Sequence, residues 1–167
     1  MLTIRQANMA DLPRVMPLFE RAKAFMRAHG NATQWVNGYP SEALMRGEIE
    51  AGHCFVCEDE EGDAVGTFCY IEGVDPTYLK IYDGSWLNDE PYGVVHRLAS
   101  SGKRPGIGEA CFRWAFGRRD NIRVDTHRDN IVMQRLVEKL GFSRRGIIYI
   151  ADGTERIAYH WTKAIDN

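Results

Sequence analysis

A basic, glycine-rich loop at residues 100–108, set between a strand and a helix, decides what this chain can become. Residues 92–99, Tyr-Gly-Val-Val-His-Arg-Leu-Ala, have the length and β-branched content of a central strand. Lys103, Arg104, Gly106 and Gly108 follow, and then Ile107, Cys111, Trp114 and Ala115 mark a helix. A helix start presents unpaired N–H groups and a partial positive charge. Glycine lets a ligand approach the backbone with no Cβ in the way. With two full cationic charges beside them, these groups make a phosphate or pyrophosphate cradle. The plainer reading is an ordinary glycine-rich loop with a surface lysine.

Two common phosphate motifs do not fit. A P-loop counted back from Lys103 needs glycine at position 97, where Arg97 stands, and Ser or Thr at 104, where Arg104 stands. A dinucleotide fingerprint starting at Gly106 needs glycine at position 111, which is Cys111.

The 167 residues suit one domain spanning 1–167. With 44% hydrophobic and 26% charged residues, the chain can bury a core, which excludes a disordered or fibrous class. No run reaches the roughly 18 apolar residues of a membrane helix, and the first residues lack the apolar core of a signal peptide. The expectation is a cytoplasmic protein with no membrane partner. Cys54 and Cys57 form a C-x-x-C, but on a strand they point to opposite faces and cannot share a metal ion. No metal is expected. The net charge of −2 argues against a nucleic-acid partner. The charge is uneven, however: residues 92–147 hold 12 Lys and Arg against 5 Asp and Glu, a net of +7, and the remainder carries −9. One segment suits an anionic ligand and the other a cation.

Along the chain, residues 2–7 alternate as a strand. Asn8 and Asp11 stand at capping-box spacing before a helix that Gly30 ends, and Pro17 should kink that helix or delay its regular start. Residues 41–51 read as a second helix capped by Ser41. Residues 53–59 and 64–71 form a hairpin whose acidic turn, 60–63, reads as solvated. Residues 73–91 are irregular, and a loop of that length is often functional. A strand at 121–125, a helix at 130–140 ended by Gly141, and a hairpin of 142–150 with 156–162 around Asp152-Gly153 complete the chain. The order implies one mixed α/β domain.

Lys103-Arg104-Pro105-Gly106-Ile107-Gly108 resembles the Gln/Arg-x-x-Gly-x-Gly/Ala loop of the GNAT acetyltransferase superfamily. Asn130-x-x-Met133-x-x-Leu136-Val137-Glu138-Lys139-Leu140-Gly141-Phe142 is similar to that family's second motif, Asn-x-x-Ala-x-x-Leu-Tyr-x-Lys-x-Gly-Phe. Ile4-Arg5-x-Ala7 and Asp11-Leu12-Pro13 resemble its first strand and helix, so the resemblance covers essentially the whole chain. Three departures stand out. Lys103 replaces the usual Gln or Arg, the segment between Ala99 and the loop is shortened, and Val137 replaces a tyrosine that in many members protonates the leaving thiolate.

The resemblance implies the acyl-CoA N-acyltransferase fold, a mostly antiparallel sheet flanked by helices, and acetyl-CoA as co-substrate with an amine acceptor. It implies pantetheine contacts from Leu98, Ala99 and Ser100. It gives the pyrophosphate to Lys103, Arg104, Gly106, Ile107 and Gly108, and further cofactor contacts to Asn130 and Lys139. Catalytically inactive acyl-CoA binding is the rival reading, and a homodimer stays open. A base that strips the amine proton is needed at neutral pH. His96 and His127 are the candidates, each also readable as a core histidine. Tyr149 or Tyr159 could supply the acid that Val137 lacks, or simply fill the core. Trp35, Tyr39, Tyr78, Tyr82 and Trp86 are candidate acceptor contacts, since aromatics beside carboxylates suit a cationic amine. The alternative is a loop packed by its own aromatics.

Overall fold

Asn8 sets the entry to the first helix. Its Oδ1 accepts from the Ala10 amide at 2.9 Å, and Asp11 Oδ2 accepts from the Asn8 amide at 2.8 Å. The box sits on a single 3-10 turn, Met9–Asp11, from which α1 (Leu12–Ala28) continues. Pro17 lies inside α1 without dividing it. The proline costs one ladder bond, and burial of Val15, Leu18 and Phe19 against the sheet outweighs that loss. Asp11 is almost fully buried and holds Arg5 through both oxygens, at 2.8 and 2.9 Å. Hydrogen bonding from Arg5, opposed by burial and helped by Asn8 and Arg14, lowers its pKa to about 2.

The computed structural model describes residues 1–163. After β1 (Thr3–Gln6) and α1 come α2 (Glu42–Glu50), β2 (Cys54–Glu58), β3 (Ala64–Glu72), β4 (Gly93–Ser100) and α3 (Ile107–Phe116). Then follow β5 (Asn121–Thr126), α4 (Ile131–Lys139), β6 (Ser143–Tyr149) and β7 (Glu155–Thr162). The strands form one sheet in the order β1-β2-β3-β4-β5-β7-β6. Every neighbouring pair is antiparallel except β4 and β5. This is the acyl-CoA N-acyltransferase fold expected above.

Alternation along the strands divides the core. One face buries Val15, Phe19, Met45, Cys54, Val56 and Cys69 beneath α1 and α2. The other buries Cys57, Phe68, Cys111, Phe112, Val137 and Tyr159 beneath α3 and α4. Cys54 and Cys57 therefore lie on opposite faces, and Cys57 Sγ meets Cys111 Sγ at 3.5 Å. No helix among the described residues is long and apolar enough to cross a membrane.

A third cluster, Tyr78, Tyr92, Val94, Ile148 and Ala158, lies under residues 73–91. That segment is irregular but not loose. The Leu87 amide donates to His160 Nδ1 at 3.0 Å, and His160 Nε2 lies 2.6 Å from Asn121 Oδ1. Asn121 Nδ2 donates to the carbonyls of Glu90 and Pro91. Arg123 donates to the Asn88 carbonyl and lies over the rings of Trp86 and Tyr92, 4.2 and 4.0 Å from their centroids.

Because an amide must donate, Nδ1 of His160 is the acceptor and the ring is neutral with its proton on Nε2. Burial, reinforced by Arg123 and Arg145, pushes its pKa down to about 4. The unfolded chain therefore binds this proton at higher pH than the folded one. Stability should be full above about pH 6.5 and fall as the pH drops toward 4, by roughly 2–3 kcal/mol from this residue. Urea denaturation across that range should show the loss, and His160→Gln should flatten it. An unchanged acid limb in the variant would place the titration elsewhere.

Candidate functional site

β4 and β5 pair at only two positions, Gly93 with Ile122 and Val94 with Arg123. Beyond them β4 stays on β3 as far as Ser100, while β5 stays on β7 as far as Thr126. The register changes where this separation begins. Cys69 faces His96 but Thr67 faces Ala99, so β4 carries one extra residue in a bulge. Arg97 sits in that bulge at φ +53°. A bulge raises the local twist and turns the strand, which here carries the end of β4 away from β5. The gap is a cavity of about 680 Å³. Val95, His96, Arg97 and Leu98 line it from β4, and Val124, Asp125 and Thr126 from β5.

Strand alternation gives this cavity two unlike halves. On the α3 and α4 side the wall is Leu98, Phe112, Thr126, Asn130 and Met133, and the glycine loop lies beyond this lining, where β4 runs on into α3. Gly106, at φ +81°, is the N-cap of α3 and offers no side-chain cap, so the first amides of the helix stay open. A Cβ at Gly108 would come within 2.7 Å of Leu136 and 3.5 Å of Leu98, so glycine there lets helix, strand and α4 close up. Ser100 and Ser101 hydroxyls accept from the Gly102 and Lys103 amides. The Arg21 guanidinium packs against Gly102, where a Cβ would lie 2.2 Å from its Nη1. Arg104 is tied to Glu60 at 2.9 and 3.0 Å, so the acidic turn is an ion-pair partner as well as a solvated tip. The Thr126 hydroxyl is buried without a partner. Ile107 and Ala99 are core residues, and Leu98 faces the cavity. Asn130 caps α4 and donates to Gln34 at 2.9 Å. Lys139 is exposed about 12 Å further along α4.

The opposite half holds a histidine–carboxylate pair. His96 Nε2 lies 3.2 Å from Asp75 Oδ2. Asp75 Oδ1 accepts from the Thr77 hydroxyl at 2.7 Å and the Thr77 amide at 2.9 Å. Burial alone would raise the Asp75 pKa, but the bonds from His96 and Thr77 lower it to about 2. Asp75 is therefore a carboxylate throughout the neutral range and fixes the imidazole beside it. Asp125 Oδ1 accepts from the Tyr78 hydroxyl at 2.6 Å. Arg97 Nε donates to the Tyr39 hydroxyl at 2.8 Å. Trp35 and Tyr39 belong to the cavity wall, and Phe19 meets Trp35 edge to face.

Four expected contacts lie elsewhere. Tyr78 is buried in the cluster under residues 73–91, and Trp86 bonds its carbonyl and packs on His160. Tyr82 and Tyr149 meet edge to face on the outside, fixed by the Tyr82–Ile147 bridge. These aromatics pack the loop on itself and do not line the cavity. His127 is also outside the cavity wall. Its Nδ1 accepts from the Asp129 amide and its Nε2 reaches Thr33 at 3.0 Å, so both ring nitrogens are occupied. Burial and Arg156 hold its pKa down. Tyr159 is buried against Glu138. Asp75, Arg97, Asp125, Arg156, Arg21 and Gln34 carried no local motif. Only Asp75 stood in a segment flagged by its length.

A parallel strand pair that opens after two residues, with an uncapped helix start on one side and a His–Asp pair on the other, defines an acyl-CoA N-acyltransferase architecture. No family model matches the chain, and no curated protein matches it. Solved structures do. A GNAT-family acetyltransferase of Streptococcus agalactiae is 29% identical, with a TM-score of 0.88, covering 98% of this chain and 96% of its own. A GNAT-family acetyltransferase of Listeria monocytogenes is 18% identical with a TM-score of 0.71, covering 96% and 94%. A GNAT phosphinothricin acetyltransferase of Sinorhizobium meliloti, solved with acetyl-CoA, is 19% identical with a TM-score of 0.64, covering 98% and 89%. Over its whole length the chain is similar to GNAT-family acetyltransferases, as the resemblance of its motifs led one to expect.

Residues 31–40 strap the cavity. Gln34 Oε1 accepts from Asn31 and Asn130 at 2.8 and 2.9 Å, and Tyr39 holds Arg97 on the other wall. Gln34→Ala should cost about 1–2 kcal/mol of stability and speed amide exchange across residues 31–40 while leaving β2 and β3 protected. Uniform exchange changes along the whole chain would contradict a local strap.

Proposed function

We propose that the protein transfers acetyl from acetyl-CoA to a primary amine of a small molecule or peptide, by direct attack in a ternary complex. The observation that carries this reading is the His96–Asp75 pair inside the β4–β5 cavity, on the strand that runs on into the uncapped start of α3. The residues present suit the co-substrate. The uncapped amides after Gly106, the Lys103 and Arg21 charges beside the loop and the unpartnered Thr126 hydroxyl are groups a polyanionic, hydrogen-bonding arm would satisfy. The edge of β4 beyond Val94, left open by β5, offers backbone groups to the amide arm. Bound acetyl-CoA supplies an activated thioester carbonyl.

The chain's own part is positioning and proton removal. An ammonium is no nucleophile, and in this reading His96 takes the proton from an amine that enters beside Asp125. Asp75 orients the ring and stabilises the imidazolium that forms. Val137 is fully buried among Phe112 and Phe142, so α4 presents no hydroxyl to the cavity.

Reversing charge at both Arg21 and Lys103 to Glu should weaken acetyl-CoA binding by roughly 1–3 kcal/mol, because these charges are solvent-accessible. Arg104→Glu should do less, since Arg104 is already committed to Glu60. Calorimetric titration decides, and unchanged affinity in the double variant would remove the loop from the cofactor site.

His96→Gln should lower kcat by on the order of 10²–10⁴ with little change in acetyl-CoA affinity. The deficit should shrink at high pH, where the amine arrives deprotonated. Asp75→Asn should show the same pattern more weakly. Release of CoA thiol across an amine panel is the readout. Wild-type rate and pH profile in His96→Gln would make the histidine a packing residue, and acetyl-CoA binding without turnover on any amine would leave a binding module.

A further inference from the structure

The half of the cavity that would receive the amine holds cations that proton removal does not use. Arg156, at the start of β7, is only 5% exposed and has no carboxylate within ion-pair distance among the described residues. Its guanidinium meets neutral oxygens alone: Thr154 Oγ1 at 3.1 Å, the Glu155 carbonyl at 2.8 Å and the Gln34 carbonyl at 3.3 Å. Arg97 is half satisfied. Nε bonds Tyr39, but Nη1 is buried without a hydrogen-bond partner, 3.6 Å from a Glu48 oxygen that His53 also approaches. Both arginines line the cavity.

Register places them with the proton chemistry. Asp125 pairs with Ala158, so Arg156, two residues earlier on β7, projects to the same face as Asp125. His96 shares that face through Val94. Arg97 reaches Tyr39 and Glu48, which lie on the α1 and α2 side. The pyrophosphate loop lies on the opposite face. A buried guanidinium is costly without an anion, and the carboxylates nearby are engaged: Asp75 with His96 and Thr77, Asp125 with Tyr78, and Asp152, which is exposed at the cavity rim and feels Arg156 only at a distance, with the Thr154 hydroxyl and amide.

We propose that the acceptor is an amino acid-type molecule, a primary amine that also bears a carboxylate, and that Arg156, aided by Arg97, binds the carboxylate while the amine faces His96 and Asp125. The inference rests on the acetyl-transfer reading and deepens it. The planar guanidinium fork matches a carboxylate through two parallel bonds, which lysine or a neutral donor cannot reproduce. Cations and anions on one wall select a zwitterion over a plain alkylamine or polyamine, whose ammonium groups the arginines repel.

The test uses the full chain loaded with CoA for binding and with acetyl-CoA for turnover. The probes are α-, β- and γ-amino acids, each beside its carboxamide. At least one acid should bind, and be acetylated with a kcat/KM on the order of 10²–10³ above its carboxamide. Arg156→Gln should bring that ratio close to one by lowering the acid's value, and Arg156→Lys should keep part of it. Should Arg156→Gln fail to fold, Arg97→Gln carries the same comparison, with acetyl-CoA affinity as the check on integrity. Equal use of acid and carboxamide by the wild type overturns the proposal while the transfer reading stands. A ratio unchanged in both arginine variants also overturns it and leaves Arg156 as an anchor for Gln34. Selective binding of an acid with no thiol release supports the carboxylate site and sinks the transfer reading instead.

Discussion

Two residue pairs hold β4 to β5, and almost everything functional depends on there being no third. A parallel pair that continued would satisfy its own backbone edges and close the sheet. Here the extra residue in β4 turns the strand, and Arg97 takes up a left-handed backbone, a conformation worth about 1 kcal/mol or more of strain in a residue with a Cβ. The antiparallel ladders on either side keep the two halves of the sheet rigid as they diverge. The cavity is thus a property of pairing, and it exposes backbone donors and acceptors that a ligand can complete.

Both long irregular segments are fastened at the cavity, one across it and one along its edge. Residues 31–40 reach from Arg97 on β4 to Asn130 and Arg156 on the far side, so one strap senses both walls. Residues 73–91 are pinned from below by His160, Asn121 and Arg123, and this pinning delivers Asp75 to His96. The aromatic content of that segment is spent on holding it down. A carboxylate that must sit 3.2 Å from an imidazole needs a rigid backbone behind it, and Trp86 and Tyr92, clasping Arg123, supply it.

What was legible in the sequence followed the range of the interaction. The Asn8 box, the hairpin around Asp152-Gly153 and the apolar periodicities are local, and the elements they imply are present. The glycine loop was legible because Gly106 and Gly108 answer to backbone geometry that no other residue meets as easily. His96 could be nominated from its place on β4. Its partner could not, since Asp75 is 21 positions away on an irregular segment and nothing nearby predicts the meeting. Tyr78 and Trp86 misled for a physical reason. Aromatics among carboxylates look alike whether they bind a cation or pack a loop, and only burial separates the two. Arg156 carried no signal, because a buried arginine without a counterion is recognisable only when its surroundings are known.

The uneven charge of the chain now has a spatial meaning. The +7 of residues 92–147 does not collect in one patch. Lys103 flanks the open start of α3, joined there by Arg21 from a distant helix, whereas Arg104 is neutralised by Glu60. Arg97 and Arg123 point to the other face, one into the cavity and one under the 73–91 segment. The sheet is one layer thick between these groups, so cations on its two faces repel across a medium of low dielectric. That repulsion is tolerable while each face has its own anions, and here the two faces differ. The α3 face has open amides and solvent-accessible cations, suited to a highly charged and water-soluble anion. The other face has buried cations interleaved with Asp75 and Asp125, suited to a small ligand that brings both signs of charge and leaves water behind.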